Sequence, residues 1–338
     1  MRTLFFTGYP GFLGSALLPR VLARDPKSVA VCLVQPKFAS LARDRARGLG
    51  DRVHILEGDL TAPINVSPAD VAEIYHLAAI YDLSVSRDRG MCVNVDGTRN
   101  VLDFAERCTS LQRLHYISTC YVSGRYDGVF REDDLDFGQR FNNYYEETKF
   151  LAEVQVRKRI QIPSTIYRPA VVVGDSQSGA TQKYDGPYYV MQWILRQPRI
   201  AVLPVVGRPK KHRFNVVPRD FIIDAIDYLS SHGKAQCYQL ADPAPLTVNE
   251  ILTAIASATQ HKIIRVPLPL AVAKLGAPLL RIPPAAVNYF TQSTVYDTTN
   301  AQRDLAGSSI SVPRFSDYAA RLVEFVRTHP DIPAAGMA

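Results

Sequence analysis

The chain has 338 residues, of which 39 are basic and 32 acidic, giving a formal net charge of +7, and 47% are hydrophobic. That length exceeds one small core, so roughly two domains, or one large domain with an appended lobe, are expected. The mild basic excess reads as an enzyme surface, and no RNP-like aromatic motif, zinc pattern or long basic helix argues for a nucleic-acid partner.

Thr3-Leu4-Phe5-Phe6-Thr7 reads as a short buried strand that begins almost at the N-terminus, where no signal peptide can be laid out. It runs into Gly8-Tyr9-Pro10-Gly11-Phe12-Leu13-Gly14 and then an apolar helix through Ala23. In a strand, glycine loop and helix, Gly8 permits the tight turn and Gly11 lets backbone approach a diphosphate. Gly14 lets the helix pack close to the strand, and N–H groups at the helix start bind the phosphates.

A second buried strand covers Val29 to Val34. An acid at its end would hold the ribose 2′-hydroxyl of NAD, and a basic group would accept the 2′-phosphate of NADP. The chain has Gln35-Pro36-Lys37 there, with Arg43, Arg45 and Arg47 beyond, so NADP(H) is favoured over NAD(H). Val53 to Glu57 reads as the third strand, followed by Asp59 and Leu60; Asp59 would face the adenine or cap a turn. Ile74 to Ala79 reads as the fourth strand, with small residues at its end beside the cofactor. His76 lacks a partner in sequence and reads as structural.

The fifth strand, Leu114 to Thr119, ends in two hydroxyls, where an open α/β sheet keeps its active site. An acidic loop with Glu132, Asp133, Asp134 and Asp136 reads as solvated. Next comes a helix carrying Tyr145 and Lys149, four residues apart and therefore on one face. An ammonium beside a phenol lowers the phenol's pKa, which suits an oxygen that must exchange a proton as carbon exchanges a hydride. A sixth strand, Ser164 to Tyr167, leads to Arg168-Pro169-Ala170-Val171.

Alternating strands and helices predict a doubly wound parallel sheet, a Rossmann α/β fold. Past Gly174 the alternation fails. Residues 175–215 read as loop-rich with one apolar helix near Tyr188 to Leu195. Gln236 to Leu240 reads as a seventh strand, and Thr247 with Glu250 as a capping box. The remainder reads as helical and proline-punctuated. The expected division is a nucleotide-binding domain of residues 1–174 plus about 216–241, and a smaller, mainly helical substrate lobe of 175–215 plus 242–338.

The lobe is greasy at Ile263-Ile264, Val266 to Leu270, Leu275, Leu279-Leu280 and Ile282-Pro283-Pro284. It therefore reads as covering a hydrophobic substrate, or as touching a membrane surface peripherally. Prolines, Lys274 and Arg281 interrupt it, so it is no spanning helix. The basic loop Arg208-Pro209-Lys210-Lys211-His212-Arg213 would hold CoA phosphates, an acidic carrier or a nucleotide diphosphate. Five cysteines, Cys32, Cys92, Cys108, Cys120 and Cys237, form no C-x-x-C pair. They argue against a disulfide framework or a zinc site and for a reducing cytoplasm.

Thr7-Gly8-x-x-Gly11-x-x-Gly14, His76-Leu77-Ala78-Ala79, Ser118-Thr119 and Tyr145-x-x-x-Lys149 stand in one order. With Asp59, Asn94-Val-Asp-Gly97-Thr98 and Arg168-Pro169, residues 1–240 resemble the extended short-chain dehydrogenase/reductase family. Ser118-Thr119-x-Tyr121-Val122-x-Gly124 and Asn143-x-Tyr145-Glu146-x-Thr148-Lys149 resemble its fatty acyl-CoA reductase and thioester-reductase branch, the male-sterility-like proteins. The family's usual arginine after the second strand is Gln35 here, and no carrier or adenylation domain is expected alongside.

The resemblance implies an enzyme that reduces a hydrophobic aldehyde, ketone or acyl thioester. Tyr145 would be the general acid, Lys149 would lower its pKa and hold the nicotinamide ribose, and Thr119 would donate to the oxyanion, with Ser118 as second choice. It implies a cofactor surface of Gly8, Tyr9, Pro10, Gly11, Phe12, Leu13, Gly14, Gln35, Lys37, Asp59, Leu60, Ala78, Ala79, Asn94, Tyr145, Lys149, Arg168, Pro169, Ala170 and Val171, and no metal. Two other readings are an NAD-dependent sugar-nucleotide epimerase or dehydratase, and a non-catalytic dinucleotide sensor or scaffold. Monomer and homodimer both remain open.

Overall fold

A computed structural model describes residues 2–276 and 284–333. Its strands are β1 (Thr3–Thr7), β2 (Val29–Val34), β3 (Val53–Glu57), β4 (Val71–His76), β5 (Arg113–Ile117), β6 (Gly128–Phe130), β7 (Ser164–Pro169), β8 (Val171–Val173), β9 (Ile200–Val206), β10 (Val216–Pro218), β11 (Cys237–Leu240), β12 (Lys262–Leu268) and β13 (Thr294–Tyr296). The helices are α1 (Gly14–Ala23), α2 (Pro36–Ala46), α3 (Arg87–Gly90), α4 (Gly97–Arg107), α5 (Tyr144–Lys158), α6 (Pro187–Leu195), α7 (Arg219–His232), α8 (Val248–Thr259), α9 (Leu270–Gly276), α10 (Thr299–Leu305) and α11 (Phe315–Thr328).

Seven strands form one parallel sheet in the order β3-β2-β1-β4-β5-β7-β11. The order reverses between β1 and β4, and that switch point is where an open α/β sheet forms its crevice. Every residue of β4 and β7 is buried, as strands covered by helices on both faces require. β4 ends at His76 and β5 at Ile117, so Leu77 to Ala79 and Ser118-Thr119 lie beyond the strands, in the turns that border the crevice.

The second core is built from β8, α6, β9, α8 and α11, with Tyr184, Tyr188, Met191, Ile255, Leu322 and Val323 at its centre. Thr247 and Glu250 form the expected capping box at the start of α8. Two strand pairs depart from the helical reading of this half. β9 pairs in parallel with β12, and β13 pairs in parallel with β6. Both pairings join segments far apart in sequence, and such contacts leave no periodic signal in a short, proline-containing run. Residues 294–305 do not stay in the lobe: α10 packs on β11 and α7 at the sheet edge.

The acidic loop is not solvated as a whole. Glu132 is buried and accepts from the backbone N–H groups of Gln239 at 2.9 Å, Asn300 at 2.5 Å and Ala301 at 3.2 Å. A carboxylate holding three donors fastens this loop to β11 and to the start of α10. Among the described residues, no helix is long and apolar enough to cross a membrane.

Candidate active site

A cleft of about 370 Å³ runs along the carboxyl ends of the sheet strands. Its floor at one end is the glycine loop. Gly8 has φ +89°, a conformation L side chains rarely adopt, and a Cβ there would lie 2.8 Å from the Ala78 nitrogen. A Cβ on Gly14 would stand 2.4 Å from the Gly8 carbonyl oxygen, so α1 starts this close to β1 only as glycine. A cradle of bare backbone leading into a helix start is what a dinucleotide diphosphate needs, and the residues fit that group.

Gly8, Tyr9, Gly11, Phe12, Leu13, Gly14, Gln35, Asp59, Leu60, Ala78, Ala79, Pro169, Ala170 and Val171 all line this cleft. The Gln35 amide donates to the Asp59 carboxylate at 2.6 Å, which ties the ends of β2 and β3 together. Lys37 and Pro10 are not among the lining residues. Lys37 lies beside Phe38, its ammonium 5.0 Å from the ring centroid. Arg45 reaches back from α2 to donate to the Pro10 carbonyl at 2.5 Å and the Ser15 hydroxyl at 3.1 Å, so a guanidinium sits against the glycine loop.

Arg168 is far from this role. It is fully buried and pairs with Glu153 at 2.6 Å, while donating to the Asp134 carbonyl at 2.6 Å. It does not border the cleft. A buried guanidinium with its carboxylate and carbonyl partners is a structural knot behind β7. Asn94 also stands behind the wall. It sits in one π-helical turn, Met91–Asp96, between α3 and α4. Its side chain accepts from the Ile80 N–H at 2.8 Å and donates to the Thr148 hydroxyl at 3.0 Å. It fastens the turn after β4 to α5, and that turn is the cleft wall.

The middle of the cleft is made by α5 and the turn after β5. Asn143 caps α5 by accepting from the Glu146 N–H at 2.9 Å, and its own amide donates to the Tyr289 hydroxyl at 2.9 Å. This cap sets the rotation of the helix. Tyr145 and Lys149 turn inward to the cleft and are buried, whereas Tyr144 is 47% exposed. The Thr119 hydroxyl accepts from the Tyr121 N–H at 3.3 Å and lies close enough to the Tyr145 phenol to favour its ionised form. Ser118 lines the cleft too, but its hydroxyl donates to Glu153 at 2.6 Å.

Lys149 does not depress the Tyr145 pKa as expected. Burial raises the Tyr145 phenol above its ordinary value, and Glu146 and Asp185 add to the rise, while Thr119 opposes it. Lys149 is itself lowered to about 7 by burial, against an opposing pull from Glu153. Its ammonium donates to the Tyr116 hydroxyl at 2.9 Å and the Ile117 carbonyl at 2.8 Å. Low dielectric penalises both the phenolate and the ammonium, and no compensation passes between them. His76, buried between the Thr7 hydroxyl at 2.8 Å and the Thr98 hydroxyl at 3.0 Å, is lowered to about 3 by burial and carries no charge.

The far end of the cleft is aromatic. Tyr81, Leu83, Tyr121, Tyr189, Phe214, Tyr289 and Phe290 line it, together with Thr181 to Lys183, Asp185 and Gly186. The described part of the greasy stretch expected to cover the substrate does not do so. Ile264, Val266 and Leu275 are exposed, and none of them borders the cleft. Leu279, Leu280, Ile282 and Pro283 lie outside the described residues.

Several of these residues escape sequence reasoning. Glu153 had a signal, because it extends the Tyr145 and Lys149 spacing by one further helical turn. Tyr81, Tyr116, Lys183 and Asp185 had none, since only folding brings their segments to one place.

The sequence pattern of an NAD-binding family described as male sterility protein matches residues 6–226. The chain is 27% identical over 265 residues to the non-canonical nonribosomal peptide synthetase cpsA of Aspergillus campestris, a match covering 69% of this chain and 24% of the synthetase. It is 28% identical over 196 residues to the probable fatty acyl-CoA reductase 4 of Arabidopsis thaliana, covering 47% of this chain and 40% of the reductase. The chain thus spans well under half of either relative. Its fold superposes on the terminal R domain of the myxalamid PKS-NRPS biosynthetic pathway with a TM-score of 0.82 and 25% identity, covering 98% of this chain and 92% of that one.

Proposed function

The chain belongs to the extended short-chain dehydrogenase/reductase family, in its thioester-reductase-like branch, and we propose that it reduces the carbonyl of a hydrophobic aldehyde, ketone or acyl thioester at the expense of NADPH. The observation that carries this reading is the meeting of Tyr145, Lys149 and Thr119 at the middle of one cleft whose far ends are a glycine cradle and an aromatic pocket. When bound, the reduced nicotinamide supplies the hydride. Thr119 donates to the substrate oxygen, and Tyr145 gives that oxygen its phenolic proton. Lys149 holds the nicotinamide ribose.

The preference for NADPH rests on the lack of an acid directly after β2 and on the cations near that end, Lys37 and Arg45. The hydrophobic substrate rests on the aromatic end of the cleft. The basic loop Arg208 to Arg213 runs directly into Phe214, a cleft-lining residue, which supports recognition of a phosphate-bearing or acidic carrier of the acyl group. Ile200, Val202, Ile264 and Val266 form an exposed apolar face on the β9-β12 pair, which supports peripheral contact with a membrane surface. Five free cysteines, four of them buried, support a reducing, cytoplasmic location.

The test is consumption of NADPH and NADH by the purified protein against a panel of acyl-CoAs, aldehydes, ketones and steroids, with Tyr145→Phe in parallel. The reading expects NADPH to be oxidised with a hydrophobic member of the panel and the variant to lose about 10²–10⁴-fold in rate. Full activity in Tyr145→Phe would sink the mechanism. Tightly held NAD with no net turnover of added NADPH would instead mark an epimerase or dehydratase.

A further inference from the structure

A charged pair stands at the aromatic end of the cleft, in the segment between β8 and α6. Lys183 and Asp185 both line the cleft and both are largely buried, with side-chain exposures of 15% and 9%. The Lys183 ammonium is 3.2 Å from Asp185 Oδ2 and donates to the Tyr81 carbonyl at 3.1 Å. It also stands 3.7 Å above the centroid of the Tyr81 ring. The Tyr81 ring in turn meets the Tyr145 ring edge to face, with centroids 4.9 Å apart and planes at 61°.

Asp185 Oδ2 is a buried oxygen that makes no hydrogen bond. Among the described residues, Lys183 is the cation paired with it. A carboxylate so placed is costly unless an opposite charge stands close, as any buried ion is. Its field also reaches the phenol of Tyr145 and disfavours the phenolate that proton donation leaves behind.

We propose that Lys183 and Asp185 are positioning residues for the general acid: Lys183 grips Tyr81 against Tyr145 and cancels the Asp185 charge, so that the Tyr145 phenol keeps its orientation and can release its proton. This inference rests on the role proposed above for Tyr145. The titratable and charged groups around that phenol are Glu146 and Lys149 on its own helix, Tyr116 and Tyr121 on either side of the turn after β5, and Tyr81 and Asp185 across the cleft. Of these groups, Tyr81 is in direct contact with Lys183.

The experiment is the pH profile of kcat for the full chain with NADPH and the best substrate of the panel. Lys183→Met leaves Asp185 uncancelled, so the basic limb moves to higher pH and kcat at neutral pH falls roughly tenfold, one pKa unit's worth. Asp185→Asn leaves an excess positive charge and moves the limb the opposite way. Lys183→Arg keeps both the charge and the hold on Tyr81, and its limb stays within about half a pKa unit of the parent; the double variant Lys183→Met/Asp185→Asn brings the limb back by the same measure but keeps a lowered kcat, because Tyr81 is no longer held. Thermal unfolding of each variant separates loss of fold from loss of rate, and Lys183→Arg and Asp185→Asn carry the test if Lys183→Met does not fold. Limbs that do not move in opposite directions, or a double variant whose limb stays with that of Lys183→Met, overturn the proposal. Tyr145→Phe is assayed alongside: an active Tyr145→Phe refutes the acid assignment itself, whereas an inactive one with unmoved limbs refutes only the role of Lys183 and Asp185.

Discussion

The Ser118 hydroxyl donates to the Glu153 carboxylate at 2.6 Å, while the hydroxyl of its neighbour Thr119 stands near the Tyr145 phenol and favours its ionised form. Two adjacent hydroxyls at one strand end therefore have separate work. Glu153 is held below the usual carboxylate range although burial pulls it upward, because Arg168, Arg157 and the Ser118 hydroxyl outweigh that pull. Thr119→Val is expected to lower kcat by about 10²–10³-fold, the cost of one oxyanion donor. Ser118→Ala is expected to keep the rate within severalfold and to lose about 1–3 kcal/mol of stability, as a carboxylate oxygen loses its partner. Steady-state kinetics and urea unfolding of both variants check the split.

Arg168 and Glu153 form a fully buried ion pair. Removing one partner strands the other in low dielectric. Arg168→Met is expected to cost about 3–5 kcal/mol of stability. Cofactor affinity of the folded fraction stays unchanged, because the guanidinium does not border the cleft. Chemical denaturation and fluorescence titration with NADPH measure the two quantities.

Lys149 gives a pH signature with a definite sign. Its pKa is about 7 in the folded protein and 10.5 as the reference value. Between those limits the unfolded chain binds more protons than the folded one, so this group's contribution to stability rises with pH from about 7 to 10. Below the folded value the buried ammonium is charged and its cost is constant. Lys149→Met removes the slope, which amounts to at most about 1.4 kcal/mol per pH unit. Urea unfolding of parent and variant across this range shows whether the two curves converge toward high pH, as expected.

The end of β2 sets the cofactor preference on the proposed reading. Lys37→Glu places a carboxylate where a 2′-phosphate would come. It is expected to lower kcat/KM for NADPH by tenfold or more, about 1.4 kcal/mol, with a smaller change for NADH. Side-by-side kinetics with the two cofactors measure the ratio.

Much of the cleft was legible beforehand because its parts are local. A glycine loop between a buried strand and a helix, and a tyrosine one helical turn before a lysine, each sit within one short stretch. The β9-β12 and β6-β13 pairs were not legible, because each joins segments far apart in the chain. Arg168 was misplaced for a related reason. Its motif marks the strand end correctly, but the direction of its side chain depends on which face of β7 packs against Glu153.

The sequence by itself determined the sheet, its seven-strand membership and the Tyr145-Lys149 spacing, since backbone periodicity and glycine geometry are properties of neighbours along the chain. Only the tertiary structure decided the charge states at the site. Burial raises the Tyr145 phenol and lowers the Lys149 ammonium, Tyr116 takes one of the lysine's hydrogen bonds, and Lys183 brings a second cation near the tyrosine by way of Tyr81. Desolvation and Coulomb fields depend on distance through space, and no spacing along the chain records them.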